Sequence, residues 1–280
     1  MKVRAFSCSL KNLKSRPNED YCLVSVKYPI FAVADGVSRD RNSDGSYPNP
    51  SGARLVAEEF CREVIKYSES LSGAMSEFCI RKAIDRANQQ IRLLNVRHGI
   101  LEKLDYWIND YFGTCGVVAA IDKDTLYYGY VGDCGLMVFN QYGSLKHVSV
   151  NDIAPLEVIR DSKKFFSKKD RALFWRKYLR NKPKADYLTY GTLTGESVVS
   201  HYYHIGKLKL QKGDSIILYS DGFLRFIKMQ DFRQLFRIFK GEELEKRVRD
   251  FVNQEIKKNP GKETTELFGD DKTLIAILLS

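Results

Sequence analysis

The chain has 280 residues, 44% of them hydrophobic and 29% charged, with 19 Gly and 7 Pro, a composition that supports a sizeable core and excludes a disulfide-stapled miniprotein, a collagen-like chain and a disordered one. No apolar run approaches the ~20 residues of a membrane-spanning helix, and the opening MKVRAFSCSLKNLKSR breaks its apolar patch with Ser and Lys, unlike a secretory signal. Basic residues outnumber acidic ones 45 to 35, an excess of +10 concentrated between Arg160 and Lys184, while six scattered cysteines show no metal-finger spacing, so a cytoplasmic protein with reduced thiols and no membrane association is expected.

In chain order, Val3 to Ser9 and Tyr21 to Val26 have strand character, and an apolar run from Pro29 to Ala34 ends on Asp35-Gly36. Residues 40–50 collect Asp, Asn, Ser, Gly and Pro and predict a loop. Ser51 can then cap a helix with Leu55, Val56, Phe60, Val64 and Ile65 on one side. The spacing of Phe78, Cys79, Ala83, Ile84, Ala87, Ile91 and Leu94 predicts a second helix over 76–96. Two amphipathic helices in succession imply a sheet beneath them.

From Thr114 the pattern returns to strands: Thr114 to Ile121, an Asp-Lys-Asp turn, Leu126 to Val131, Gly132-Asp133, and Leu136 to Asn140. No helices alternate with them, so the pattern reads as an antiparallel meander in an α+β fold rather than a doubly wound parallel sheet. The basic stretch 151–187, which includes Phe165, Phe166, Phe174, Trp175 and Tyr178, reads as an insertion with a short helix near Asp170 to Leu179. His201 to His204 and Ser215 to Tyr219 follow as strands, the second ending on Ser220-Asp221-Gly222. Helices over 230–239 and 242–258 and a last strand, Thr273 to Leu279, complete the series. On a strand His201 and His204 face opposite sides and do not make a metal pair.

An acid beside a glycine recurs where apolar strands begin or end: Asp35-Gly36, Gly132-Asp133, Asp221-Gly222 and Gly269-Asp270. Singly, each is an ordinary turn. Strands of one sheet system bring distant ends together, however, and carboxylates meeting there repel unless cations compensate them. Oxygen donors select hard ions such as Mg²⁺ or Mn²⁺, and no Cys or Ser stands in a nucleophile motif.

The series Asn18-Glu19-Asp20, Phe31 to Gly36, Gly113-Thr114, Tyr130 to Asp133, Gly213-Asp214, Leu218 to Gly222 and Asp270-Asp271-Lys272-Thr273 resembles the metal-dependent type 2C (PPM-type) protein phosphatases in content and order, over essentially the whole chain. The resemblance implies one domain over 1–280, a four-layer α-β-β-α sandwich of two antiparallel sheets flanked by helix pairs, with a variable flap at 151–187. It also implies two divalent cations, Mg²⁺ or Mn²⁺. Asp35 matches the carboxylate bridging them and Gly36 the residue that holds one by its carbonyl. Asp221 and Asp270 match carboxylates on the other ion, and Glu19 the acid that acts mostly through water on the Gly36 side. Asp133 matches a position that helps hold a third, weaker ion in bacterial members, and Asp20 one that orients metal-bound water. The implied activity is hydrolysis of phosphoserine and phosphothreonine in proteins by direct attack of metal-activated water. The implied partners are phosphoproteins modified by a Ser/Thr kinase; a monomer is favoured, and a nucleic-acid partner is not expected.

The chain departs from the pattern in three places. The phosphate-contacting Arg position holds Ser15, with Arg16 next to it as the alternative phosphate contact. The usual Asp-Gly-x-Gly is Asp35-Gly36-Val37-Ser38, and the usual Gly-Asp-Ser-Arg is Gly132-Asp133-Cys134-Gly135. The absent arginines define one rival, an idle pseudophosphatase serving as a binding module, against which stands the retention of mutually repelling acids. The basic stretch defines another, a metal-dependent nuclease with salt-sensitive binding. The same stretch reads equally as a solvated helix face covering a core.

Overall fold

The computed structural model describes all residues except 13–16, 38–45, 73, 107–108, 157–166, 183–187, 239–241 and 261–268. Its strands are β1 (Val3–Leu10), β2 (Tyr21–Val24), β3 (Ile30–Val37), β4 (Gly113–Asp122), β5 (Thr125–Val131), β6 (Gly135–Phe139), β7 (Leu145–Val148), β8 (His204–Lys209), β9 (Ser215–Tyr219) and β10 (Lys272–Leu279). They form two five-stranded antiparallel sheets, ordered β1-β10-β9-β6-β7 and β2-β3-β4-β5-β8.

The alternation of side chains along the inner strands builds the layers. In β3, Phe31 and Val33 face the core between the sheets, whereas Ile30, Ala32 and Ala34 face helices. In β10, Ile275 and Ile277 point between the sheets, and Leu274 and Ala276 point to the opposite outer layer. Burial on both faces explains why these strands read as continuous apolar runs. Helices α1 (Gly52–Ser70) and α2 (Glu77–Arg97) cover the second sheet. Ser51 caps α1 by accepting from the Arg54 amide at 3.2 Å, and Ser76 caps α2 by accepting from Cys79. The α1 stripe Val56, Ala57, Phe60, Cys61, Val64 and Ile65 is fully or almost fully buried. A short α3 (Ile100–Lys103) and α4 (Lys168–Phe174) follow in sequence. The first sheet is covered by α5 (Asp221–Lys228), α6 (Gln230–Ile238) and α7 (Glu242–Lys257), with Phe223, Phe226, Phe232, Leu244, Val248 and Val252 against it.

This is the expected α-β-β-α sandwich, with several local differences. β3 runs through Asp35 and Gly36 instead of ending before them. The expected meander divides, with β4 and β5 in one sheet and β6 in the other, the chain crossing between them at Gly132-Asp133. His201 belongs to a 3₁₀ turn, Ser197–Tyr202, and only His204 enters a strand. There it stacks on Tyr130 at 4.6 Å and meets Asp152 at 2.8 Å. Strand β7 and helix α5 went unpredicted: β7 is four residues with a half-exposed pattern, and α5 is an eight-residue helix starting on an Asp-Gly that reads as a turn. All six cysteines are free.

The described part of the basic stretch packs on a small satellite core, in which Phe174 and Trp175 lie against Leu156, Leu179 and Tyr190. It is fastened by charge as well. Arg180 grips Asp110 with two hydrogen bonds, 3.0 and 2.6 Å, and Arg176 Nε reaches the same carboxylate at 2.9 Å. Beyond it Asn181 exchanges hydrogen bonds with the backbone of Thr192, both 2.9 Å. Next to Thr192, Leu193 bridges to Thr114, whose hydroxyl donates to the Asp35 carbonyl at 2.7 Å. Replacing Asp110→Ala leaves two guanidinium groups without their shared carboxylate in a buried setting and is expected to cost about 3–5 kcal/mol, read as a lower denaturant midpoint with an unchanged slope.

Candidate functional site

The strand registers bring the sequence acids to one end of the sandwich. Tyr21 pairs with Ala34, Gly36 with Thr114, and Gly116 with Val131, so Glu19, Asp20, Asp35 and Asp133 all flank the same edge of their sheet. In the other sheet Leu10 pairs with Lys272 and Leu274 with Tyr219, placing Asp221 and Asp270 at the matching edge. Antiparallel pairing therefore collects residues more than 250 positions apart, as the hydrogen bond from the Glu19 amide to Asp271 Oδ2, 2.8 Å across 252 positions, shows directly.

Hydroxyls and amides orient the acids. Ser51, the cap of α1, donates to Glu19 Oε1 at 2.6 Å. Ser220 donates to Asp20 Oδ2 at 2.7 Å and accepts from the Thr273 amide at 3.0 Å, which ties β2 to the crossing between β9 and α5. Asp271 accepts from the Asn12 amide and side chain, both 2.7 Å, as well as from Glu19, and so clasps both ends of the segment between them. Gly36 sits where any side chain would collide: a Cβ there would lie 2.5 Å from the Ala53 carbonyl oxygen and 2.8 Å from that of Glu19.

The charge at this end is not compensated by hydrogen bonds alone. Burial and then the neighbouring Asp20, Asp221, Asp270 and Asp133 push the Asp35 carboxyl well above its ordinary range. Burial, followed by Asp133, Asp270 and Asp20, does the same to Asp221. Burial also raises Asp133, and raises Asp20 to about 7 against the opposing Ser220 hydrogen bond. Two carboxylate oxygens, Asp133 Oδ1 and Asp221 Oδ1, are buried with no hydrogen-bond partner. Orphaned anionic oxygens among like charges are the donor chemistry that hard divalent cations satisfy. Among the described residues no three His, Cys, Asp or Glu side chains close into a ready-made metal-holding group, a spacing consistent with mutual repulsion.

A family profile described as Protein phosphatase 2C matches residues 12–257. The chain belongs to the protein phosphatase 2C family. Its class of activity is accordingly metal-dependent phosphoprotein hydrolysis. The Mycobacterium tuberculosis serine/threonine phosphatase PstP/Ppp is a structural match with TM-score 0.68 and 14% identity, covering 99% of both chains. The catalytic domain of PstP in complex with two manganese ions matches at TM-score 0.68 and 14% identity, over 99% of this chain and 98% of that one. RsbX in complex with magnesium matches at TM-score 0.55 and 14% identity, over 99% of this chain and 96% of that one. At these identities the structural matches speak for the fold. A comparison with curated protein sequences found no match.

Of the residues singled out in the sequence of this phosphatase, Glu19, Asp20, Asp35, Gly36, Asp133, Asp221 and Asp270 come to one end of the sandwich, whereas Arg16 lies outside the described residues. The two histidines stay apart from it: His201 is exposed and His204 is engaged with Asp152. Sequence reasoning missed the supporting Ser51, Ser220 and Asp271. Ser51 was visible as a helix cap, but its second bond, to an acid 32 positions away, has no local signature. Because folding raises the Asp20 pKa from 3.8 to about 7, its contribution favours the ion-free fold below the lower value and is lost as pH climbs through the higher one. Melting in chelator is thus expected to weaken as the pH rises from about 4 to about 7, with Asp35→Asn raising the melting temperature at neutral pH.

Proposed function

We propose that the acids at this end of the sandwich are the catalytic centre at which phosphoserine and phosphothreonine monoesters in proteins are hydrolysed. The observation that carries the reading is the pair of partnerless oxygens on Asp133 and Asp221 within a group of acids whose charged forms are all disfavoured. Asp35 is suited to bridging two cations because its strand end faces acids from both sheets. The Gly36 carbonyl and Glu19 would serve one ion, Asp221 and Asp270 the other, and Asp133 a third, weaker one. When bound, Mg²⁺ or Mn²⁺ supplies hydroxide near neutral pH and offsets charge on the transferring phosphoryl group.

The chain's own residues hold the geometry for that chemistry. Ser51 fixes one oxygen of Glu19, Thr114 fixes the Asp35 backbone, and Ser220 fixes one oxygen of Asp20, the residue we assign to orienting water. Direct attack by water fits a site whose neighbouring thiols, Cys115 and Cys134, are buried and pushed well above the ordinary thiol range by that burial. Arg16 remains our candidate for a phosphate contact, in place of the arginine whose position is Ser15. We place 151–187 as the flap of a single domain spanning 1–280. Free cysteines fit a reducing cytoplasm, and we take the working unit as a monomer opposing a Ser/Thr kinase. No helix among the described residues is long and apolar enough to cross a membrane.

The test is turnover of a phosphothreonine peptide with Mn²⁺, with Mg²⁺ and with EDTA. Activity is expected with either ion and not with chelator. Asp35→Asn and Asp221→Asn are each expected to lower kcat by about a hundredfold or more, the scale of losing an electrostatic stabiliser of the transition state, together with the rise in melting temperature that Mn²⁺ confers. Full activity in either variant overturns the assignment.

A further inference from the structure

Lys272 opens β10 beside the acids and is 2% exposed. A buried lysine needs a reason, since desolvating an ammonium is costly without partners. Its Nζ donates to the Asp270 carbonyl at 2.7 Å, and although burial pulls its pKa below the ordinary lysine value, the neighbouring Asp270, Asp271, Asp20 and Asp221 act in the opposite direction and favour its charged form. Its stem is confined as well: a Cβ on Gly222 would come within 3.0 Å of Lys272 Cγ, so the chain lies against the first turn of α5, next to Asp221. With the side chain buried and directed back onto the Asp270 backbone, the ammonium is poorly placed to receive a substrate phosphate. Its position suits another task.

We propose that Lys272 is a resident counter-cation of the acidic centre, which offsets part of the carboxylate charge in the ion-free protein and thereby sets how tightly the centre holds divalent cations. The inference rests on the reading of these acids as the metal site. A fixed positive charge beside the acids has two opposite consequences. It stabilises the ion-free fold by relieving repulsion, and it weakens cation binding by repelling the incoming ion. A lysine serving only to fill space has neither effect: its removal costs packing and leaves cation affinity unchanged. Lys272 is thus a positioning and charge-setting residue, and its signature is a gain of metal affinity on removal.

The experiment is calorimetric titration of Mn²⁺ into the full chain and into Lys272→Met and Lys272→Arg. Lys272→Met keeps the length of the stem and removes the charge. It is expected to bind Mn²⁺ on the order of tenfold more tightly, by the Coulomb scale for a unit charge near a divalent ion at the dielectric of a partly buried site, while its ion-free form melts at a lower temperature. Lys272→Arg keeps the charge and is expected to bind within about twofold of the parent, the margin for an altered hydrogen-bond geometry. If Lys272→Met folds only with ion present, its affinity is read by chelator competition instead. Unchanged or weaker binding in Lys272→Met overturns the proposal, as does tightened binding in Lys272→Arg. If the parent chain itself binds no Mn²⁺, the metal-site reading fails first, and the two failures are distinct.

Discussion

The structure is governed by repulsion among carboxylates that the fold forces to one place. Asp20, Asp35, Asp133 and Asp221 each find their charged form disfavoured where they stand. They are held there by the apolar interior on either side. Phe31, Val33, Val117, Leu136, Leu218, Ile275 and Ile277 lock the two sheets face to face, each large apolar side chain contributing about 1.5–3 kcal/mol on burial. A sandwich of this size can carry an unfavourable edge, and on the reading proposed above divalent cations would turn that liability into a binding site. Such an arrangement would trade ion-free stability for affinity, a common balance at reactive centres.

Polar groups set the geometry within that edge. Ser51 and Ser220 each serve two masters, a local element and a distant acid: Ser51 caps α1 while holding Glu19, and Ser220 receives the Thr273 amide while holding Asp20. Asp271 ties the segment between Asn12 and Glu19 to the start of β10 through three N–H donors. Glu19, Asp20 and Asp271 are therefore oriented by neutral donors and by backbone. A buried lysine, Lys272, lies beside them with its Nζ on the Asp270 carbonyl.

Much of this was legible in the sequence because the relevant patterns are local. Alternation and apolar runs found β1, β3, β4, β5, β9 and β10, and the caps Ser51 and Ser76 opened α1 and α2 where expected. Asp35, Asp133, Asp221 and Asp270 stood out because each sits beside a glycine at a strand boundary, whereas Glu19 and Asp20 were marked only by the family resemblance. What escaped depended on distance. The division of the meander between sheets is decided by packing of side chains far apart in sequence, not by the turn at Gly132-Asp133 itself. The grip of Arg176 and Arg180 on Asp110 spans 70 positions, and in the sequence those arginines were lost among many basic neighbours. The same holds for the aromatic residues of that stretch: Phe174 and Trp175 cover a small core, the plainer of the two roles their spacing allowed.

The order of strands in the first sheet bears on how such a protein comes to be active. β10 lies between β1 and β9, so the tenth strand to leave the ribosome is the only described partner of the first. Ser9 and Thr273, hydroxyl to hydroxyl at 2.9 Å, are 264 positions apart. Closing so long a loop is slow compared with local pairing, and until it closes Asp270 has no edge to join. A growing chain can form β3, β4 and the helices over them early, yet it assembles its acidic edge last. The acidic edge is thereby completed only when β10 docks, in the same step that adds Ile275 and Ile277 to the core between the sheets.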